Sequence, residues 1–388
     1  MSKALLIENG ILVRNDRVEQ GNLSIRNGLI EHVRTTPGDK LPIDYTIIDA
    51  QGLYVAPGFI DLQVNGGGGY NFGDASSAQI RKIIAFHARH GTIGLLPTTV
   101  TAPIKAIRNA AQRIRLLNHP MVFGMHIEGP FISAKQKGAQ NPQYILKPSI
   151  EEFEKLVKGY EDFIKIVTLA PELPGADGLI ALSKKIGAIP SLGHSDATYA
   201  EAIKALDHGV ALFTHLFNAM REFHHREPGA VGAALGSNEM VELIADGVHV
   251  HPAVIKLLAK IKGIDKICLI TDSISASGLV DGDYLLGGLE VLVKDREARL
   301  RDGTLAGSTL TMDKAVKNFI EFTGVSLPEA VRTATLNPAE LLAITDKKGS
   351  LEVGMDADIV IFDKDVTIHY TIIGGEAVYS RNETNHYE

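Results

Sequence analysis

Three side chains in this sequence, Glu128, His194 and His215, are of the types that hold a first-row divalent metal, and each closes a short apolar run. Two imidazoles and a carboxylate suit Zn²⁺ or a related ion and leave a position open for water. A fourth residue, Asp272, closes the run KICLITD. A carboxylate beside such a metal can take a proton from water and return one to a leaving group, which is the chemistry of hydrolysis. A lone histidine at a strand end is usually structural, and an acid after an apolar run is often a helix N-cap. The four residues carry meaning only if a fold brings them together.

The runs themselves supply that fold. Eight are present: FIDLQV, IGLLPTT, MVFGMHIE, KIVTLAPE, IPSLGHSD, ALFTHLFN, VELIADGVH and KICLITDS. Helix starts lie between them, where Ser76-x-x-Gln79, Ser149-x-x-Glu152 and Thr198-x-x-Glu201 have the capping-box pattern before apolar residues at helical spacing. Eight strands alternating with helices predict an α/β fold, a (β/α)8 TIM barrel. The runs end in Gln63 and Asn65, Thr98 and Thr99, Glu128, Glu172, His194, His215, His249 and Asp272. In a parallel barrel these positions share the C-terminal rim, where barrel enzymes place their active sites.

The chain ends read differently. Residues 4–34 and 349–380 are short alternating apolar stretches split by glycines, with Asn-Gly pairs at 9–10 and 27–28 that signal hairpin turns. Neither end could build its own core. The expectation is a discontinuous small β domain, a β-sandwich from 1–53 and 349–388, around a catalytic barrel at 54–348.

Composition bounds the rest. The 388 residues are 45% apolar and 22% charged, within the ordinary globular range. A net charge of −7 disfavours nucleic acid as a partner but allows one anionic small molecule. No run is long enough for a membrane span, and the first residues do not read as a secretion signal, so no membrane partner and a cytoplasmic location are expected. Cys268 is the single cysteine and reads as a small buried residue on a strand. Other histidines read as structural: His87, His90 and His119 on solvated surface, and His126 packed inside the barrel.

The motifs PGFIDLQVNGGGG, HIEGPF, KGAQNP, TLAPE, GHSDA, THLFNAM, REPG, IADGVH, TDS and GTLAGS run through nearly the whole chain. On these the sequence resembles the amidohydrolase superfamily and, within it, the N-acetylglucosamine-6-phosphate deacetylases. The resemblance implies that Glu128, His194 and His215 bind one divalent metal per subunit, zinc first, with iron, cobalt or manganese also compatible. It makes Asp272 the general acid/base. It assigns Asn218, Ala219 and Arg226 to a sugar phosphate and His249 to substrate contact. Ala139, Gln140, Leu305, Ala306 and Gly307 match stretches that line the sugar pocket. It implies a small phosphorylated amino sugar as partner, and a homodimer.

Two departures matter. Many amidohydrolases carry His-x-His where this chain has Gln63-Val64-Asn65, and neutral amides are poor first-row metal ligands, so this pair reads as a vestigial second metal site. The fourth run, ending in TLAPE, offers no lysine to bridge two metals. Gln140 stands where some relatives have histidine; its NH₂ can donate a hydrogen bond but carries no charge. The readings left open are deacetylation of an epimeric N-acyl amino-sugar phosphate, and a sugar-phosphate binder without catalysis.

Overall fold

The computed structural model describes residues 4–34 and 45–382. Its central sheet has eight parallel strands: β1 (Phe59–Val64), β2 (Thr92–Thr99), β3 (Met125–Glu128), β4 (Ile164–Leu169), β5 (Ile189–Leu192), β6 (Leu212–Phe213), β7 (Met240–Ile244) and β8 (Ile267–Ile270). Each pairs with the next in chain order. All eight apolar runs have become these strands, and the expected TIM barrel is the fold found. Closure comes just beyond the strands. Val64 bridges Ser273, the Asp272 N–H donates to Gln63 O at 2.9 Å, and the Asn65 N–H donates to Ser273 O at 2.9 Å.

The helices start where the sequence placed them. Ser149 accepts from the Glu152 N–H, and Thr198 and Glu201 form a reciprocal capping box. Cys268 is buried on β8.

Inside the barrel a layer of polar side chains is bonded to itself. His126 faces Leu62 O through Nδ1 at 3.0 Å and Thr168 Oγ1 through Nε2 at 2.7 Å. Thr168 Oγ1 lies 2.7 Å from Thr214 Oγ1, which lies 2.5 Å from Ser191 Oγ. All four residues are fully buried. Burial presses the His126 pKa down to about 4, so the ring is neutral near pH 7 and its Nδ1–H must be the donor to Leu62. Both ring nitrogens are thereby used, and His126 is a packing residue.

The described residues form two compact units, within Met1–Asp61, His87–Gly94 and Met312–Glu388, and within Leu62–Phe86 and Leu95–Thr311. The first contains a mixed sheet joining both chain ends, in the order Glu376–Ser380, Ile368–Ile373, Ile359–Phe362, Tyr54–Pro57, Ala4–Val13, Val18–Arg26 and Leu29–Arg34, with Thr46–Asp49 also paired to Ala4–Val13. Strands lie about 4.8 Å apart, so a flat sheet would hold Ile372 and Ile30 roughly 24 Å from each other. They share one core with Leu5, Leu23, Val55 and Ile359, and the Ile30 N–H donates to Met355 O. The sheet therefore folds over itself, as a sandwich does.

Asn27-Gly28 forms the expected turn, with φ of 54° and 81°. Asn9-Gly10 does not. It lies inside the strand Ala4–Val13 as a bulge, with Asn9 at φ 57° and its N–H on Asn22 Oδ1. The reason is local space: a Cβ at Gly10 would stand 2.5 Å from Val55 Cγ2, so close packing claims this glycine. His87 and His90 also depart from expectation. His87 is fully buried, and His90 pairs with Asp313 at 3.0 Å.

Candidate active site

Glu128 is the last residue of β3, while His194, His215 and Asp272 each lie two residues past a strand end. The last three have left-handed backbone, with φ of 47°, 31° and 48°. Non-glycine residues seldom adopt this region, and it turns each side chain off the strand toward one point. Glu128 Oε1 lies 2.9 Å from His215 Nε2 and 3.2 Å from His194 Nε2, and the two Nε2 atoms are 3.2 Å apart. Bonds of about 2.1 Å to a tetrahedral metal would place its ligands roughly 3.4 Å apart. The three atoms fit that triangle. His194 Nδ1 meets Gln136 O at 2.9 Å, so it carries the hydrogen and Nε2 keeps its lone pair for a metal.

The two carboxylates are pushed in opposite directions. Burial would raise Glu128, but the imidazoles of His194 and His215 against its carboxylate hold it well below the usual range. Asp272 is raised to about 7, by burial first and then by the negative charge of Glu128. Such a split separates a carboxylate that stays anionic, as a metal ligand must, from a group able to exchange protons near neutrality. The sign for stability follows. A folded pKa above the unfolded 3.8 means Asp272 favours the fold fully below about pH 4, and this contribution is lost as pH rises through about 7. In the metal-free protein, Asp272→Asn is expected to gain stability relative to wild type between pH 4 and pH 8. Denaturant titrations at the two pH values measure it; a difference independent of pH would refute the assignment.

The amides beside the metal triangle serve as donors. Gln63 Nε2 donates to Glu128 Oε1 at 2.8 Å and Asp272 Oδ1 at 3.3 Å, and Asn65 Nδ2 donates to Asp272 Oδ1 at 2.6 Å. Gln140 is anchored at both ends. Its oxygen accepts from the Thr101 N–H at 2.6 Å, which turns its Nε2 to Glu128 Oε2 at 2.8 Å.

A cavity of about 360 Å³ opens over the triangle, lined by Ala139, Gln140, Asn218, Ala219, His249, Leu305 and Gly307 among the expected residues. His249 donates from Nδ1 to Asp246 Oδ2 at 2.7 Å, leaving Nε2 for a ligand. Burial would raise Asp246, but the His249 bond outweighs it and keeps the carboxylate ionised. Asn218 spends its Nδ2 on His215 O and Leu216 O at 3.1 and 3.2 Å. Two of the residues expected to contact substrate stand outside the lining. Ala306 is buried behind it, its N–H on Ala298 O, and Arg226 is exposed with NH1 on His225 Nε2 at 2.9 Å. Glu172, at the end of the fourth run, serves the scaffold, accepting from Ser195 Oγ and the Asp196 N–H at 2.7 Å each.

Arg299, Thr304 and Phe217 line the cavity without having been singled out. Arg299 belongs to a three-stranded meander, Gly282–Leu286, Leu289–Lys294 and Glu297–Leu300. Its turns were legible as Gly287-Gly288 and Asp295-Arg296, all four at positive φ.

Gly193 couples the inner polar layer to the site. A Cβ there would meet Thr168 Cγ2 and Thr214 Cβ, both at 2.7 Å, next to His194. Gly193→Ala is expected to cost about 1–3 kcal/mol in chemical denaturation and to weaken metal binding. A variant with wild-type stability and metal content would show that the layer is not rigid.

Residues 54–378 match the amidohydrolase family. This chain belongs to the amidohydrolase family. Among its relatives is N-acetylglucosamine-6-phosphate deacetylase of Bacillus subtilis (strain 168), 39% identical across 99% of this chain and 100% of that protein. N-acetylgalactosamine-6-phosphate deacetylase of Escherichia coli O157:H7 is 37% identical across 97% of each. A solved structure, the N-acetyl-D-glucosamine-6-phosphate deacetylase of Mycobacterium smegmatis as a mutant in complex with N-acetyl-D-glucosamine-6-phosphate, superposes with a TM-score of 0.92 at 32% identity, covering 97% of this chain and 100% of that one. The resemblance carried by the motifs thus holds over nearly the full length. Membership and the Glu128–His194–His215 cluster together imply a divalent metal.

Proposed function

We propose that this amidohydrolase removes the acetyl group from N-acetyl-D-glucosamine 6-phosphate, giving D-glucosamine 6-phosphate and acetate. The observation that carries the reading is the buried Glu128–His194–His215 triangle with the buried Asp272 carboxylate beside it, in a chain alike end to end with deacetylases of that substrate. Glu128, His194 and His215 hold the metal, with zinc favoured by the mixed nitrogen and oxygen donor set. When bound, the metal supplies Lewis acidity and makes water acidic enough to attack near pH 7. Asp272 takes the proton of the attacking water and passes one to the departing amine. Gln63 and Asn65 orient that carboxylate by donating to it, and as neutral donors they support a single-metal site. His249 presents Nε2 to the sugar, and Ala139, Gln140, Leu305, Ala306 and Gly307 shape its pocket.

The phosphate is assigned to Asn218, Ala219 and Arg226. Because Arg226 is exposed and outside its own chain's cavity lining, the assignment fits a homodimer in which this arginine serves the neighbouring copy. No described helix is long and apolar enough to cross a membrane, and a metabolic role in the cytoplasm is the location proposed.

A second reading is favoured by the galactosamine-phosphate relative: the same reaction on an epimer. Acetate release by the metal-loaded protein, compared across the gluco, galacto and manno N-acetyl 6-phosphates, tests both. Highest kcat/KM on the gluco substrate is expected. A metal-loaded protein that binds the sugar phosphate and releases no acetate would instead be a binder.

A further inference from the structure

A second cavity of about 270 Å³ adjoins the first and shares three lining residues with it, Asn65, Val100 and Leu286. Its other walls are largely apolar and include Ala102, Ala106 and Ile107 of the segment after β2. Two buried oxygens on its lining, Thr99 Oγ1 and Asn65 Oδ1, have no hydrogen-bond partner among the described residues. Ala106 is exposed, so the chamber reaches the surface on that side. It is therefore not a sealed core void, and it leaves polar atoms for an entering molecule or water to satisfy.

Its position decides what enters. Asn65 touches the chamber and also donates to Asp272 Oδ1 at 2.6 Å. Resting on the proposed deacetylation, the reacting carbonyl sits beside Asp272, so the acyl substituent is the part of the substrate nearest this wall. We propose that Val100 and Leu286 set the acyl-chain length the site accepts, by standing as an apolar partition between the catalytic cavity and this chamber. Val100 packs against the cluster containing Leu286, and a Cβ on the neighbouring Gly287 would approach its Cγ2 to 2.9 Å. The partition is thus tight, and a methyl group fits the acyl end where a longer chain does not.

The metal-loaded full chain is assayed on N-acetyl- and N-butyryl-glucosamine 6-phosphate. Wild type is expected to favour acetyl strongly. Val100→Ala is expected to raise the butyryl-to-acetyl ratio of kcat/KM at least tenfold, with Leu286→Ala as a second opening of the same wall. Ala106→Phe, which fills the chamber from its exposed side, is expected to return the ratio of Val100→Ala to the wild-type value. Ratios unchanged within twofold in both opened variants overturn the proposal, as does a gain that survives Ala106→Phe. Failure of the wild type to release acetate from the N-acetyl substrate overturns the deacetylase reading instead, so the two failures are distinct.

Discussion

Asp272→Asn is expected to lower kcat by about 10³–10⁴-fold, the upper part of the range for losing a positioned acid/base, while leaving the metal and the sugar phosphate bound. That is roughly 4–5.5 kcal/mol of barrier. The substitution is well placed for this test. The oxygen retained in Asn can still accept from Asn65 Nδ2 and Gln63 Nε2, which now meet Asp272 Oδ1. None of the three residues of the metal triangle is altered. Metal analysis, sugar-phosphate titration and acetate release on the same preparation separate the outcomes. Wild-type-like turnover would remove Asp272 from the mechanism; loss of the metal would make it a ligand instead of a proton carrier.

Glu128→Gln is expected to reduce bound metal from one per chain to under a tenth at micromolar metal, and activity by at least about 10³-fold. Glu128 is the only anionic member of the triangle, and an amide is a poor ligand for a first-row ion. Chelation of the wild type should abolish activity in the same way, with recovery on adding Zn²⁺, Fe²⁺, Co²⁺ or Mn²⁺. Recovery should fail for the variant at the same concentration. Because binding to the fold alone stabilises it, chelated wild type should also melt earlier than the loaded protein. Full activity after exhaustive chelation would exclude the metal reading.

The barrel and its triangle were legible in sequence for one reason: catalytic side chains at the C-terminal rim must follow buried strands. Glu128, His194, His215 and Asp272 each close an apolar run, and each is where that reasoning put it. What escaped lies off the repeating pattern. The meander with Arg299 interrupts the alternation of strand and helix after β8, and its exposed residues look like loop until the paired turns are recognised. Glu172 has the same sequence context as the proposed ligands, but Ser195 and the Asp196 backbone reach its carboxylate first. The Asn9-Gly10 pair shows the limit of turn signals, since a glycine needed for close packing reads like one needed for a turn.

The seam of the barrel has a consequence for how this protein can be watched. Strands β1 and β8 are joined through the Asp272 N–H on Gln63 O and the Asn65 N–H on Ser273 O, while the Ser308 N–H closes onto Asp272 O. The backbone that locks the cylinder is therefore the backbone that aims Asp272, the proposed acid/base group. Any opening of that join exposes these amides to solvent and disarms the site in one event. Hydrogen–deuterium exchange at Asp272, Asn65 and Ser308 would then report the fraction of molecules competent to react, with no substrate present.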